Sequence, residues 1–146
     1  MSDDSTNPAE RLVALQIIDV NLNRASEGLR VVEEYSRFVL SDAALTARCK
    51  SLRDRLHAAL DPISRAERLM ARDTPHDVGA TSGFAEAVGR EVSFYSLEQI
   101  AIKNGERVKE ALRAIEEFAK TLNPSAAAEI GALRYEWYTL ERDCHF

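Results

Sequence analysis

Residues 21–37, NLNRASEGLRVVEEYSR, return as residues 104–120, NGERVKEALRAIEEFAK, at a constant offset of 83. Asn21 aligns with Asn104, Arg24 with Arg107 and Glu27 with Glu110. Leu29-Arg30 aligns with Leu112-Arg113, and Glu33-Glu34-Tyr35 with Glu116-Glu117-Phe118. Helical sequences rich in Glu, Arg, Leu and Ala resemble one another by chance. An Asn and an Arg repeated at the same two places make coincidence a poor explanation. A weaker echo follows after a two-residue shift, Leu52-Arg53 against Leu133-Arg134. The repeat limits the fold to two like units. We read it as two long helical hairpins, about residues 8–60 and 96–142, packed as an all-α bundle about a pseudo-twofold axis. Residues 61–95 connect them, and the whole of 1–146 is one domain.

The helices follow from apolar spacing and from caps. Asn7-Pro8-Ala9-Glu10 is a helix start, with a capping amide and a proline at the first helical position. Leu15, Ile18, Leu22, Ala25, Leu29, Val32 and Val39 then recur at threes and fours, which predicts a first helix over about 8–40. Ser41-Asp42 opens a second, marked by Leu45, Cys49, Leu52, Leu56 and Leu60. Asp61-Pro62 begins a shorter third, with Ile63, Ala66 and Met70 expected inward. Residues 72–83, RDTPHDVGATSG, hold the densest cluster of Gly, Pro, Thr, Ser and Asp and read as a loop. A short amphipathic piece is expected over 84–95. Ser96-Leu97-Glu98-Gln99 fits a capping box, and a long helix should run from there to about 122. Asn123-Pro124 breaks it, and a last helix carries Ile130, Leu133, Trp137 and Leu140. No strand alternation of useful length occurs.

Composition narrows the function. Formal net charge is −5, which argues against a nucleic-acid interface, whose usual footprint is a basic face. The acidic, polar start MSDDSTNPAE does not read as a signal peptide, and no apolar run approaches a membrane span. A cytoplasmic protein with no membrane partner is expected. Cys49 and Cys144 form no zinc-type cluster and are expected as free thiols. Phosphate-binding glycine loops, GxSxG and HExxH are absent from the sequence.

Two groups of residues are candidates for chemistry. On a helical wheel, Asn21 and Arg24 fall at or beside the core stripe of the first helix. Asn104 and Arg107 do the same in the second copy. Polar groups placed there need partners. Either the arginines pair with glutamates of neighbouring helices, or they face a pocket near the pseudo-axis and grip an anion. Glu27, Arg30 and Glu34 are expected on a solvated, salt-bridged face. The second group is the loop. Arg72, Asp73, Thr74, Asp77 and Gly79 offer a guanidinium, two carboxylates, a hydroxyl and a close backbone approach. Two aspartates four apart can hold Mg²⁺ through oxygen ligands and water. The competing reading is a connecting turn with Asx-type hydrogen bonds. His76 has no evident partner in the sequence.

The stretches IIDVNLNRASEGLRVVEEYSRF, ARDTPHDVG, RVKEALRAIEEFAK and LRYEWYTLE resemble a helical family tied to thiamine biosynthesis. That family occurs fused to thiamine phosphate synthase and also as a short stand-alone protein. It is associated with hydroxymethylpyrimidine phosphate kinase activity. Its usual D-A-N-x-N-R appears here as Asp19-Val20-Asn21-Leu22-Asn23-Arg24, with Val for Ala.

The resemblance implies ATP-dependent phosphorylation of a small phosphorylated pyrimidine to its diphosphate, with ATP and Mg²⁺ as cofactors. The synthase activity itself is not expected, because it belongs to a barrel of repeated strands. On this reading Arg72, Asp73 and Asp77 are catalytic, with Asp73 and Asp77 holding the metal. Arg24 and Arg107 neutralise phosphate, Asn21 and Asn104 read the pyrimidine edge, and Thr74 and Gly79 complete the binding site. Two alternatives stand. One is an all-α Mg²⁺-dependent nucleotide pyrophosphatase using acids such as Glu33, Glu34 and Asp42. The other is a non-catalytic helical module that partners a thiamine phosphate synthase. Val13, Ile17 and Val31 lie off the main stripe and suggest a homodimer.

Overall fold

A computed structural model describes residues 6–80 and 95–146, and the amphipathic piece expected over 84–95 falls almost wholly outside these. The described elements are α1 (Pro8–Phe38), α2 (Ala43–Ala59), α3 (Arg65–Ala71), a 3₁₀ turn (Thr74–His76), α4 (Leu97–Ala119) and α5 (Pro124–Asp143). The chain is all-helical in these residues. None of the described helices is long and apolar enough to cross a membrane.

The helix ends follow the local chemistry. Asn7 Oδ1 accepts from Ala9 N, with Pro8 at the first helical position. Past Phe38, Val39 N and Leu40 N both donate to Tyr35 O, and Ser41 takes φ 52° to turn the chain. Asp42 then caps α2 through Leu45 N. The capping box of Ser96 and Gln99 forms in full at the start of α4. Asn123 caps α5 from Ala126 N, again with proline behind it.

Two hairpins, α1–α2 and α4–α5, make a four-helix bundle in which α1 packs on α4 and α2 on α5. The α1–α4 pair is antiparallel. Thr6 Oγ1 donates to Thr121 O at one end, and Tyr35 and Phe38 line a groove with Leu97 and Ile100 at the other. Across the α2–α5 seam, Arg48 Nη1 lies 2.9 Å from Asp143 and Arg55 Nη1 2.7 Å from Glu136. The core comprises Ile18, Leu22, Ala25, Leu29 and Val32 of α1 with Leu52 and Leu56 of α2. Val108, Leu112 and Ile115 of α4 and Ile130, Trp137 and Leu140 of α5 complete it. Cys49 and Cys144 are free and buried in it. Burial pushes the Cys49 thiol up to about 12, which keeps it protonated and unreactive.

The repeated residues make repeated contacts. In the first hairpin, Arg53 Nη2 reaches Glu33 at 2.8 Å, and Arg30 lies 3.7 Å from Glu33 and 3.2 Å from Glu34. In the second, Arg134 Nε reaches Glu116 at 2.8 Å, and Arg113 lies 3.7 Å from Glu116 and 3.2 Å from Glu117. The Leu-Arg pairs of α2 and α5 thus anchor their helices to the Glu-Glu pairs of α1 and α4. Arg30 and Glu34 occupy the solvated face the spacing predicts.

α3 departs from its expected facing. Ile63 is buried, but Met70 is 87% exposed and Ala66 is exposed as well. Arg68 and Ala71 face in instead. The Arg68 guanidinium compensates by donating to Ile63 O, while Gln16 Nε2 ties Ala71 O to α1 at 2.9 Å. On a seven-residue helix those two polar anchors, rather than apolar spacing, set the rotation.

α1 and α4 approach most closely at Gly28. A Cβ there would stand 2.9 Å from Asn104 O and 2.9 Å from Val108 Cγ2. The oxygen belongs to backbone and cannot swing aside. Gly28→Ala should therefore destabilise the bundle by about 1–2 kcal/mol, the overpacking cost outweighing the roughly 1 kcal/mol that alanine gains in helix propensity. Gly131→Ala is the milder comparison, because its Cβ meets the carboxylate end of Glu116 at 2.8 Å, a side chain that can shift at the cost of loosening its Arg134 pair. Urea midpoints of the two variants should differ, with Gly28→Ala the less stable.

Candidate functional site

A cleft of about 420 Å³ opens where the chain leaves α3 and crosses the first half of α1. Gln16, Ile17, Asp19, Val20 and Asn23 form the α1 wall, and Arg72, Asp73, Thr74, His76 and Asp77 the other. Residues 16, 19, 20 and 23 share one side of a helix of 3.6 residues per turn, the side turned away from Ile18 and Leu22.

Arg72 is fixed at the junction of the two walls. Its Nε lies 2.7 Å and its Nη2 2.9 Å from the two oxygens of Asp19, a bidentate pair. The Asp19 side chain is only 6% exposed, whereas that of Arg72 is 42% exposed. The Asp19 hydrogen bond, followed by its charge, holds the Arg72 guanidinium above its ordinary pKa. This guanidinium is permanently charged and held in one orientation, with its Nη1 making no hydrogen bond among the described residues. That arrangement suits a phosphate or carboxylate ligand. Beside it the half-buried Asn23 amide offers both a donor and an acceptor. Ile17 and Val20 supply an apolar surface for a planar ring.

The rim is acidic and internally bonded. His76, which the sequence left without a partner, has Nδ1 2.9 and 3.0 Å from the two oxygens of Asp73. Asp77 Oδ1 accepts from Gly79 N at 2.8 Å and from Ala80 N at 3.4 Å, so it caps the helical backbone that begins at Val78. Gly79 leaves room for that contact, since a Cβ would sit 3.1 Å from Asp77 Oδ1. Thr74 lies between the two aspartates on the 3₁₀ turn. Asx-type bonding is therefore present in a loop that also lines the cleft.

The repeated polar residues are placed elsewhere. Asn21 is buried, but its Nδ2 donates back to Ile17 O at 2.9 Å, and Asn104 Nδ2 does the same to Ile100 O at 2.9 Å. These amides satisfy the backbone of their own helices and do not line the cleft. Arg24 and Arg107 are exposed and make no hydrogen bond or ion pair among the described residues, which corrects their expected place against the core. The reason is rotation. Three residues beyond Asn21, Arg24 is turned about 60° further from the core. Among the described residues the α1–α4 seam is closed at the expected pseudo-axis by the buried Ala25, Gly28 and Val108.

Sequence reasoning missed Gln16, Asp19 and Asn23 as site residues. Their signal was available as a polar stripe at i, i+3 and i+7, and as a failure of the repeat. The positions 83 residues after Asp19 and Asn23 hold Ile102 and Glu106.

Among the described residues no three His, Cys, Asp or Glu side chains gather in a metal-binding group. The cleft nevertheless has donors that suit Mg²⁺. The carboxylates of Asp73 and Asp77 and the Thr74 hydroxyl offer hard oxygen atoms along one rim. Mg²⁺ is commonly held by one or two carboxylates together with substrate phosphates and water.

Thiamine-phosphate synthases of Gloeobacter violaceus, Nostoc punctiforme and Rhodopirellula baltica are 43%, 41% and 39% identical to this chain, over 90%, 88% and 92% of it. The chain spans about a third of the length of these relatives, 36%, 34% and 35% respectively. No solved structure matches it. The ThiD2 family matches residues 16–143, from the first residue of the cleft's α1 wall to the end of α5. By the extent of that match, the chain belongs to the ThiD2 family.

Proposed function

We propose that this chain acts in thiamine biosynthesis by transferring a phosphoryl group from ATP to hydroxymethylpyrimidine phosphate, at the cleft between α1 and residues 72–77. The observation that carries the reading is Arg72, braced by the buried Asp19 beside the Asn23 amide and facing a carboxylate rim. Relatives named as thiamine-phosphate synthases support the pyrimidine as the class of substrate.

The chemistry asks little covalent work of the protein. The acceptor is a phosphate monoester whose second pKa is about 6, so near pH 7 it is already largely dianionic and needs no general base. An acceptor oxygen forms a bond to the γ-phosphorus, the bond from that phosphorus to the β,γ-bridging oxygen breaks, and ADP leaves with the electron pair. The obstacle is repulsion between two anions. Arg72 meets it by holding the acceptor phosphate with its outward guanidinium edge, at the position Asp19 fixes. Asn23 orients the pyrimidine by pairing with its exocyclic amine and ring nitrogen, and Ile17 and Val20 pack on the ring. Asp73 and Asp77 would hold Mg²⁺, which when bound neutralises the transferring phosphates. Thr74 donates to a phosphate oxygen.

Product analysis tests the proposal. With ATP, Mg²⁺ and the pyrimidine monophosphate, ADP and the pyrimidine diphosphate should accumulate together, and ADP should not form without the pyrimidine. Pyrophosphate with a nucleoside monophosphate would instead establish the pyrophosphatase reading. That reading has lost its acid cluster, because Glu33 and Glu34 are bound by Arg53 and Arg30, and Asp42 caps α2. A second reading, the non-catalytic partner of a synthase, draws support from an apolar groove formed by Val31, Tyr35, Phe38, Leu97 and Ile100. Phe38 is 66% and Leu97 64% exposed there. Absence of turnover together with tight binding to a thiamine phosphate synthase would favour it.

A further inference from the structure

We infer that Asp19 is the positioning residue on which phosphate recognition at this cleft depends, acting through Arg72 rather than on the ligand. The inference rests on the cleft reading above and adds a residue to it.

Three observations carry it. First, Asp19 uses both carboxylate oxygens on Arg72, at 2.7 and 2.9 Å, from a side chain 6% exposed. Both oxygens of this nearly buried carboxylate are engaged by Arg72, so its effect on the cleft is the orientation of that guanidinium. Second, the other hairpin builds the same helix with Ile102 at the matched position. Ile102 is 37% exposed, so the repeated helix plan neither buries this position nor requires a carboxylate at it, and Asp19 is buried where the first hairpin alone is covered by α3 and Arg72. Third, the charge of Asp19 also acts on a second cation. Burial draws the Arg68 guanidinium below its ordinary pKa, and Asp19 is the strongest charge acting against that. Arg72 brings a positive charge to the α1 side of the cleft, while Asp73 and Asp77 make the rim negative. A phosphate is drawn to one side and a cation to the other.

The test uses the full chain and a binding readout that does not require turnover. Inorganic pyrophosphate and the pyrimidine monophosphate are titrated by calorimetry against wild type, Asp19→Asn, Arg72→Gln and the double variant, with thermal unfolding measured for each. Asp19→Asn should weaken binding of both ligands at least tenfold while the protein stays folded. Arg72→Gln should weaken it as much or more, and the double variant should bind no worse than Arg72→Gln alone. Such non-additivity marks a residue acting through another. In steady-state kinetics the Asp19→Asn loss should fall mainly on KM for the pyrimidine phosphate.

Wild-type affinity in Asp19→Asn, or losses that multiply in the double variant, overturns the inference. If Asp19→Asn unfolds, Asp19→Glu takes its place. That variant keeps the carboxylate but displaces the guanidinium, and it should bind at least threefold more weakly, with wild-type affinity again overturning the inference. A wild type that binds these ligands with the expected variant pattern but does not turn over would sink the kinase proposal and leave this inference standing. A wild type that turns over with no effect of Asp19→Asn would do the reverse. A wild type that binds neither ligand overturns both.

Discussion

Arg72→Gln should lower kcat/KM for the pyrimidine phosphate by about 10²–10³-fold, the loss expected when one preorganised charge-stabilising donor is removed. Glutamine keeps a hydrogen-bonding side chain of moderate length but lacks both the charge and the fork. Arg72→Lys separates those contributions. It restores the charge as a point and not as a planar pair of donors, so it should recover only part of the loss. The fold should survive either change. Arg72 lies beyond the end of α3 with a side chain 42% exposed, and Asp19 keeps the favourable charge of Arg68. Circular dichroism and thermal unfolding check this. Near-native unfolding with lost turnover is the expected pattern, and full activity in Arg72→Gln would remove this cleft from the mechanism.

Trp137→Ala should be the most damaging single change to the fold, at about 3–5 kcal/mol. Trp137 heads the fully buried side chains, at 0% exposed. Its ring reaches across the second hairpin to α4, where a Cβ on Gly105 would lie 3.3 Å from Cζ2. That glycine leaves room for the indole. Truncating the indole leaves a cavity that the rigid helices on either side cannot close. Against a typical total stability of about 5–15 kcal/mol, the variant should unfold at markedly lower urea concentration. Trp137→Phe should be much milder, about 1–2 kcal/mol. The indole Nε1 has no hydrogen-bond partner among the described residues, so phenylalanine forfeits ring volume and no polar contact. Equal midpoints for the two variants would mean that volume is not what this position contributes.

Much of the bundle was legible in the sequence, for local reasons. Caps and helix periodicity act over one to three turns. Asn7, Asp42 and Ser96 each cap the helix they were expected to start, and Asn123, expected only as a break, caps α5. Ile130, Leu133, Trp137 and Leu140 face the core as their spacing requires. The wheel failed at polar residues on the edge of a stripe. Asn21 and Arg24 both lie near that edge, yet one bonds to its own helix backbone and the other stands in water. It failed again on α3, where two hydrogen-bonding anchors override the apolar pattern of a short helix. The candidate loop was found by its composition. Its partner on α1 was not, because a repeat marks what the two copies share, and Asp19 and Asn23 lie where they differ.

The sequence by itself determined the helices, the caps that bound them and the two-hairpin plan. All three depend on interactions within a helix or on a strict repeat. Only the tertiary structure decided which polar groups meet. Asp19 and Arg72 are 53 residues apart, and nothing local couples them. They come together because Gln16 pins the end of α3 to α1 and delivers the next residue onto Asp19. A helix wheel encodes the direction of a side chain but not what stands opposite it. The chemistry of this cleft is set by what stands opposite.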